Sequence, residues 1–374
     1  MLQNASASTP GLGSVHYTEY GIPIRNLWHM CLYAWNEVQA QRHWTFDAVE
    51  DAPTLDALLA SVLASSLQQR LRIGLGRGYV NQQVSIRGIR GRIDFAESLK
   101  QQTFEHGQAY CEFQQYSANA PRNQIIRSTL ARLVQVGNFG PNHTLANELR
   151  HTLRVLTRAL DGIDLVELKL DLIRRQQLGR NDGDYRLMLA ICELILMRQM
   201  PAEQMGQLGL PALDRDTLIM HSIYERFVAN FYRIHLRGWR VKSQSRLSWH
   251  AKRENPYLPA MQPDLILENY SSGNMLILDT KFTAKNLIEN QWDKQVFDSS
   301  HLYQIYAYLK SQEHVSERHG QAIGILLYPT VDNHVSERIE LEDHIIRIES
   351  VDLTTPWQDI ERQLLEIVEH QGAN

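Results

Sequence analysis

Cysteine is scarce. The 374 residues contain three, Cys31, Cys111 and Cys192, an odd number spread too far apart for a disulfide framework or a zinc knuckle, which fits a reducing, cytoplasmic compartment. No stretch approaches the roughly 18 consecutive apolar residues of a membrane helix. The first residues, MLQNASASTPGLGSV, lack the charged start and apolar run of an export signal, so a soluble, unexported protein with no membrane partner is expected. Several catalytic signatures are missing too. There is no G-x-x-x-x-G-K-[ST] loop for a nucleotide, no G-x-S-x-G elbow for a nucleophilic serine, and no H-E-x-x-H or paired C-x-x-C for zinc. The Gly74, Gly76 and Gly78 triplet lacks the dinucleotide-fingerprint spacing and reads as a glycine-rich hairpin. Nor is positive charge in excess. Against 38 Lys and Arg stand 42 Asp and Glu, a net of -4, which by itself argues against the generally basic surface of many nucleic-acid binders.

With 43% hydrophobic residues, a chain of this length fills two domains of ordinary size. Residues 1–20, rich in Ser, Ala, Gly and Thr, have little to bury and read as a disordered lead-in. A first domain is expected over 21–210: an α+β unit, mostly helical with a small β element. Its helices show as apolar spacings of three and four, at Leu27, Met30, Cys31, Ala34 and Trp35, then at Leu55, Leu58, Leu59, Val62 and Leu63, and again over 119–136, 143–160 and 184–199. Between them, GLGRGYVNQQVSIRGIRGRIDF alternates β-branched residues with glycines, the pattern of short strands and tight turns. The stretch MPAEQMGQLGLPALD marks the boundary. Over 211–374 the order becomes a long helix (215–237), strands at 239–248, 261–268 and 275–283, a helix at 298–312, an apolar strand at 322–328 and a closing helix at 354–370. That is an α/β unit.

One segment carries a chemical signature, MQPDLILENYSSGNMLILDTKF. Asp264 follows Pro263 in one strand, while Asp279 and Lys281 sit two apart at the end of the next. Side chains alternate along a strand, so Asp279 and Lys281 share a face, and a hairpin through Ser271, Ser272 and Gly273 brings Asp264 beside them. Two neighbouring carboxylates repel each other unless a divalent cation sits between them, and Mg2+, which takes oxygen ligands and bridges to phosphate, is the expected ion. A lysine there can orient an attacking water or neutralise charge growing on a phosphate. The residues follow the PD-(D/E)xK pattern of metal-dependent nucleases, placed on the central hairpin of an α/β unit. The alternative is a surface hairpin with a solvated Asp279–Lys281 pair worth at most about 1 kcal/mol. Glu225, in HSIYERFVANFYR on the preceding helix, is a candidate third metal ligand or else an exposed neighbour of Arg226. Gln304 and Tyr308, four apart in HLYQIYAYLK, share a helix face and either hold a phosphate or position the water or else pack on the sheet, whereas Tyr303 and Tyr306 are expected to pack on the sheet.

Charge is unevenly distributed. Residues 221–253 hold eight basic residues and one acid, 68–100 seven and two, and 331–374 three and eleven. The first density, with Arg240 and Lys242, suits a surface that tracks a polyanion such as double-stranded DNA. Trp239, Trp249 and Tyr257 interleave with it and could stack on bases, a buried role being the expectation for the tryptophans. The acidic C-terminal segment is expected to face away from DNA or toward a protein.

Four separated motifs in order, IPIRNLWHMCLYAW, IRGRIDF at 89–95, the PD and DTKF core and HLYQIYAY, resemble the McrC family, the nuclease subunits of McrBC modification-dependent (type IV) restriction systems. The resemblance runs from about Ile22 to the C-terminus. It implies a restriction-endonuclease-like PD-(D/E)xK domain with Asp264, Asp279 and Lys281 as the catalytic, metal-binding set. The QxxxY helix is similar to that of the RecB-like branch of these nucleases and implicates Gln304 and Tyr308. The resemblance also implies that the first domain docks on a hexameric McrB-like AAA+ GTPase and stimulates it. GTP would be bound by that partner and not by this chain, and the partner would recognise methylated cytosine. Arg87, Arg90 and Arg92 would then lie in the docking half, as contacts to the GTPase or to DNA. Two other functions stay open: a non-catalytic subunit that only stimulates the GTPase, and a stand-alone DNA repair nuclease.

Overall fold

The computed structural model describes residues 16–18, 20–37, 52–179, 182–199, 215–249, 253, 255, 257–282, 287–289, 295–331 and 334–369. Most of the expected lead-in and all of the boundary stretch 200–214 lie outside them. Contacts divide the chain into two compact units. One is Leu55–Pro201, and the other joins Met1–Thr54 to Ala202–Asn374.

The first helix, α1 (Ile24–Ala34), therefore does not belong with the helices that follow it, as a domain spanning 21–210 would have it. It packs instead on the long helix that opens the second half. The reason lies in what the helix carries: Leu27, Trp28, Met30, Cys31, Leu32 and Tyr33 are all buried, too much apolar surface for a helix with one covered stripe. Polar side chains then fix its position. Asn26 is buried and donates through Nδ2 to the carbonyls of Leu353 (2.8 Å) and Thr355 (2.9 Å).

In Leu55–Pro201, α2 (Leu55–Ile73) buries Leu58, Leu59, Val62 and Leu63, the residues of the apolar spacing. The glycine-rich segment forms β1 (Gly78–Arg87) and the short β2 (Arg92–Ile93). Both pair antiparallel with β3 (Gln108–Ser117), giving the order β1-β3-β2. The strand β3 has no counterpart in the expected elements, because only Ala109 and Cys111 of its ten residues are buried and its second half is largely polar and exposed. Gly91 has a left-handed φ of 68°, and a Cβ there would collide with the Glu112 carbonyl on β3, so IRGRIDF needs its glycine to reach its partner. Between β2 and β3, α3 (Phe95–Lys100) is capped by Asp94, whose side chain accepts from the Glu97 amide at 3.0 Å. Then come α4 (Pro121–Val136), α5 (His143–Ala159), α6 (Leu170–Arg174) and α7 (Gly183–Gln199). The buried Tyr185 hydroxyl of α7 donates to Asn123 Oδ1 and accepts from the Gly76 amide, both at 2.8 Å, which ties α4 and the chain before β1 together.

The other unit is built on a six-stranded mixed sheet. After α8 (Arg215–His235) come β4 (Trp239–Ser243), β5 (Leu265–Asn269) and β6 (Met275–Thr280), an antiparallel meander. A small pair, β7 (Leu287–Glu289) with β8 (Gln295–Phe297), precedes α9 (Ser299–Gln312) and the short α10 (Glu317–Gly320). The chain returns in β9 (Ile323–Thr330), parallel to β6, and finishes with β10 (Ser336–Leu341), β11 (His344–Asp352) and α11 (Trp357–Glu369). The order is β10-β11-β9-β6-β5-β4. Every residue of β6 is buried, as both neighbours and both faces are covered. The hairpin β10–β11 is absent from the expected elements. Its edge strand is almost wholly exposed and charged, which hid the alternation of Ile346 and Ile348 beneath a general acidity. Tyr33 binds three helices at one point: its hydroxyl donates to Glu361 Oε1 of α11 (3.0 Å) and lies 2.8 Å from His235 Nε2 of α8. No helix among the described residues is long and apolar enough to cross a membrane.

Helix α9 packs on the sheet through Ile305, Tyr308 and Leu309, against Ile277, Leu326, Ile346 and Ile348. It comes closest at Gly324, where a Cβ would stand 2.8 Å from Ile305 Cγ1 and 3.0 Å from Leu309 Cδ1. Gly324→Ala is therefore expected to lower stability by about 1–3 kcal/mol through overpacking, seen as a lower urea midpoint at unchanged slope. An unchanged midpoint would mean that α9 can ride away from the sheet freely.

Candidate active site

Register brings the expected residues together. Leu265 pairs with Leu278, so Asp264, one step before β5, stands across from Asp279 near the end of β6. The alternation argument holds for the next pair: Lys281 Nζ lies 2.6 Å from Asp279 Oδ2, with both side chains largely buried. The lysine is itself fixed by its backbone, whose amide donates to the Leu327 carbonyl of β9 at 2.9 Å. Asp264 is held by the residue between the other two. Its Oδ2 accepts from the Thr280 amide (2.7 Å) and the Thr280 hydroxyl (2.6 Å).

A line of hydrogen bonds leads away from the lysine into α9. Lys281 Nζ donates to Gln304 Oε1 at 2.7 Å, Gln304 Nε2 donates to the Tyr308 hydroxyl at 2.7 Å, and Tyr308 donates to the Gln262 carbonyl at 3.4 Å. Its polarity follows from the lysine. An ammonium has no acceptor, so the amide must turn its oxygen toward Lys281, which leaves its NH2 for the phenol and the phenolic proton for the carbonyl. Tyr308 is buried, while Tyr303 is 73% exposed and Tyr306 spends its hydroxyl on Glu342 at 2.9 Å. The expectation for these aromatics fails at Tyr303 alone: Tyr306 is partly buried against the sheet core, and Tyr308 packs and bonds inward.

Electrostatics mark the carboxylates as an unrelieved pair. Burial raises the pKa of Asp264, and the Glu225 charge raises it further, against the lowering effect of the Thr280 hydrogen bonds. Burial likewise raises Asp279, then the Asp264 charge, with Lys281 acting in opposition. His221 of α8 contributes a smaller lowering effect on both. Glu225 lies one helical turn beyond His221 and near enough to act on Asp264, but its Oε1 accepts from Gln244 Nε2 at 2.6 Å. Among the described residues no three of His, Cys, Asp and Glu gather as a metal-holding group. The protein side of the site is therefore two carboxylates, an all-oxygen donor pair that suits a hard cation retaining much of its water and not a closed zinc site.

Around this centre the basic residues differ. Arg240 is exposed on β4, whereas Lys242 is engaged with Glu268 across the β4–β5 pair. Trp249 is 38% exposed, with Nε1 donating to the Pro259 carbonyl, and Tyr257 is 91% exposed, so the expected burial fails for Trp249. In the other unit, Arg87 and Arg92 are exposed on the small sheet, and Arg90 lies over the Phe113 ring at 4.3 Å.

Residues 17–329 match the family described as McrBC 5-methylcytosine restriction system component. The chain belongs to that family. It is 29% identical over 351 residues to the type IV methyl-directed restriction enzyme EcoKMcrBC of Escherichia coli strain K12, covering 92% of this chain and 97% of the relative. Among solved structures it resembles a chain in an assembly of Thermococcus gammatolerans McrB AAA+ hexamers with bound McrC, with a TM-score of 0.51, 16% identity, and coverage of 92% of this chain and 76% of that one. At that identity the likeness concerns the fold.

Within this McrBC family member, three side chains at the site carry no motif of their own. Thr280, the unnamed position of Asp-x-Lys, holds Asp264. His221 precedes Glu225 by four residues, and that helical spacing is the signal that could have found it. His301 precedes Gln304 by three on α9; its Nδ1 lies 2.9 Å from the Tyr328 hydroxyl, and burial followed by the Lys281 charge lowers its pKa.

Because both carboxyl groups sit above their unfolded-state pKa, the folded protein holds protons that the unfolded chain would release. The associated stability is complete below the unfolded carboxylate range and is lost as pH rises through the raised values. Asp264→Asn keeps an oxygen for Thr280 and removes one charge. With chelator present, the variant is expected to have a flatter pH dependence and a higher urea midpoint near neutral pH than the parent. Parallel profiles from about pH 4 to about pH 8 would show that the pair does not repel.

Proposed function

We propose that the chain is a Mg2+-dependent DNA endonuclease, the cleaving subunit of a GTP-driven restriction complex that acts on methylated foreign DNA. In this reading the second half is a PD-(D/E)xK nuclease domain. The observation that carries it is the assembly of Asp264, Asp279 and Lys281 at adjoining strand ends, with the two carboxylates raised in pKa and one ammonium between Asp279 and Gln304. A solvated surface pair would show neither the burial nor the mutual repulsion.

Asp264 and Asp279 would hold the ion. Bound there, Mg2+ supplies Lewis-acid polarisation of the scissile phosphate and lowers the pKa of a bound water. Thr280 keeps the Asp264 carboxylate turned toward its partner. Lys281 orients the attacking water and offsets negative charge as it builds on the phosphate oxygens during in-line displacement. Gln304, steadied by Tyr308, keeps the ammonium from settling wholly on Asp279. The basic run over 221–253, with Arg240 exposed, would carry the flanking phosphates of double-stranded DNA, and Glu225 is the further carboxylate that would help hold the ion.

The partner is proposed to be an McrB-like AAA+ GTPase hexamer, which binds the GTP that this chain has no loop to hold and which the chain stimulates. Family membership and the McrB-bound structural neighbour support this assignment. Residues 55–201, with Arg87, Arg90 and Arg92 on the small sheet, are proposed as the docking portion.

Cleavage assayed with partner, GTP, Mg2+ and methylated DNA tests the nuclease assignment. Lys281→Ala and Asp279→Ala are expected to lower the rate by about a hundredfold or more while leaving GTP hydrolysis by the complex intact. Gln304→Ala is expected to lose less, since it acts through the lysine. Full cleavage by the first two variants would sink the nuclease reading and leave a subunit that only stimulates the GTPase. Robust cleavage by the lone chain would favour a stand-alone repair nuclease instead.

A further inference from the structure

The helical unit 55–201 holds a cavity of about 380 Å³ between α4 and α5, within the roughly 300–1,000 Å³ typical of small-molecule sites. Its apolar wall includes Ala131 and Val134, and its charged lining comprises Arg127, Arg154, Arg158 and one acid, Asp161.

The two helices are rich in arginine, and most of it is spent. Between Pro121 and Ala159 there are six arginines and one acid, Glu148. Arg122 pairs with Asp182, Arg132 bonds to Gln199, and Arg150 lies over Phe139 and donates to the Gly137 carbonyl. Arg127 reaches Asp161 at 3.6 Å and the Ile163 carbonyl, yet its Nε is buried with no hydrogen-bond partner. The remaining two, Arg154 and Arg158, have no hydrogen-bond or ion-pair partner among the described residues. They stand four apart, hence on one face of α5, and both line the cavity.

Three guanidiniums facing one space with a single carboxylate, itself 91% exposed, repel one another, and a buried donor left unsatisfied adds to the cost. An anion in the cavity offsets the repulsion among the three guanidiniums. Guanidinium groups match the tetrahedral oxygens of phosphate in paired hydrogen bonds, which carboxylates offer only in a plane. We propose that this cavity is a binding site for a phosphate-bearing anion, separate from the carboxylate site and independent of whether that site cleaves DNA. The phosphate belongs either to a small phosphorylated molecule, whose remainder would lie along Ala131 and Val134, or to a nucleic-acid backbone.

The full chain and its Arg154→Ala/Arg158→Ala variant are titrated with pyrophosphate by calorimetry, and with a short unmethylated duplex by fluorescence anisotropy across a salt series. Both arginines are exposed, so the fold should persist, and a thermal melt checks it. Arg72→Ala/Arg175→Ala, which removes the same charge outside the cavity, is the control. A saturable pyrophosphate isotherm weakened about tenfold or more in the cavity variant alone assigns the site to small phosphorylated ligands. Without such an isotherm, duplex binding that weakens in the cavity variant alone, with a salt dependence flatter by about two counterions, assigns it to nucleic-acid backbone. Equal losses in variant and control, no loss in either, or no binding of either probe overturns the proposal.

Discussion

Two carboxylates buried beside one another, with one ammonium to share, set the terms for everything around them. Asp264 and Asp279 stay together because the β5–β6 register places them opposite one another and Thr280 clamps one of them from its backbone and its hydroxyl. Burial and the facing like charge outweigh the Thr280 hydrogen bonds and the Lys281 ammonium, so the carboxylates are held at a cost to their charged forms. The cost is borne by the apolar strands beneath, where β6 is buried from end to end, and it would be relieved by a bound cation. A charge pair built this way lowers the stability of the fold that carries it.

The second constraint is directional. Because a lysine can only donate, it dictates the orientation of Gln304, which dictates that of Tyr308 and ends on a backbone carbonyl. A line of fixed polarity of this kind holds the ammonium in place between a carboxylate and an amide, and not on the carboxylate alone. It also explains why α9 must approach the sheet so closely: at Gly324 there is no room for another carbon, and any retreat of the helix would lengthen the contact between Gln304 and Lys281.

Much of this was legible in the sequence. Strand alternation alone predicts that Asp279 and Lys281 share a face, and helical spacing alone predicts that Gln304 and Tyr308 do. What spacing could not show was which side of α9 faces inward, since Tyr303, Tyr306 and Tyr308 are alike in composition and differ only in tertiary neighbours. Thr280 escaped notice because its role is a backbone amide as much as a hydroxyl, and every residue but proline has an amide. The hairpin β10–β11 was concealed by its own edge strand, whose charges keep an exposed ladder from pairing further. The place of α1 was hidden for another reason: apolar periodicity says that a helix is buried, never against what.

That last point has a consequence in time. The sheet-bearing unit is discontinuous, with α1 near the start and its partners α8 and α11 after residue 202. During synthesis α1 leaves the ribosome long before the surface that buries its tryptophan and tyrosine exists, while the intervening unit, contiguous in sequence, can fold on its own schedule. Closing so long a loop adds little to the entropy cost, but it orders events: the carboxylate pair comes to rest in a finished core only when the last helix, α11, has been made and Tyr33 has found Glu361.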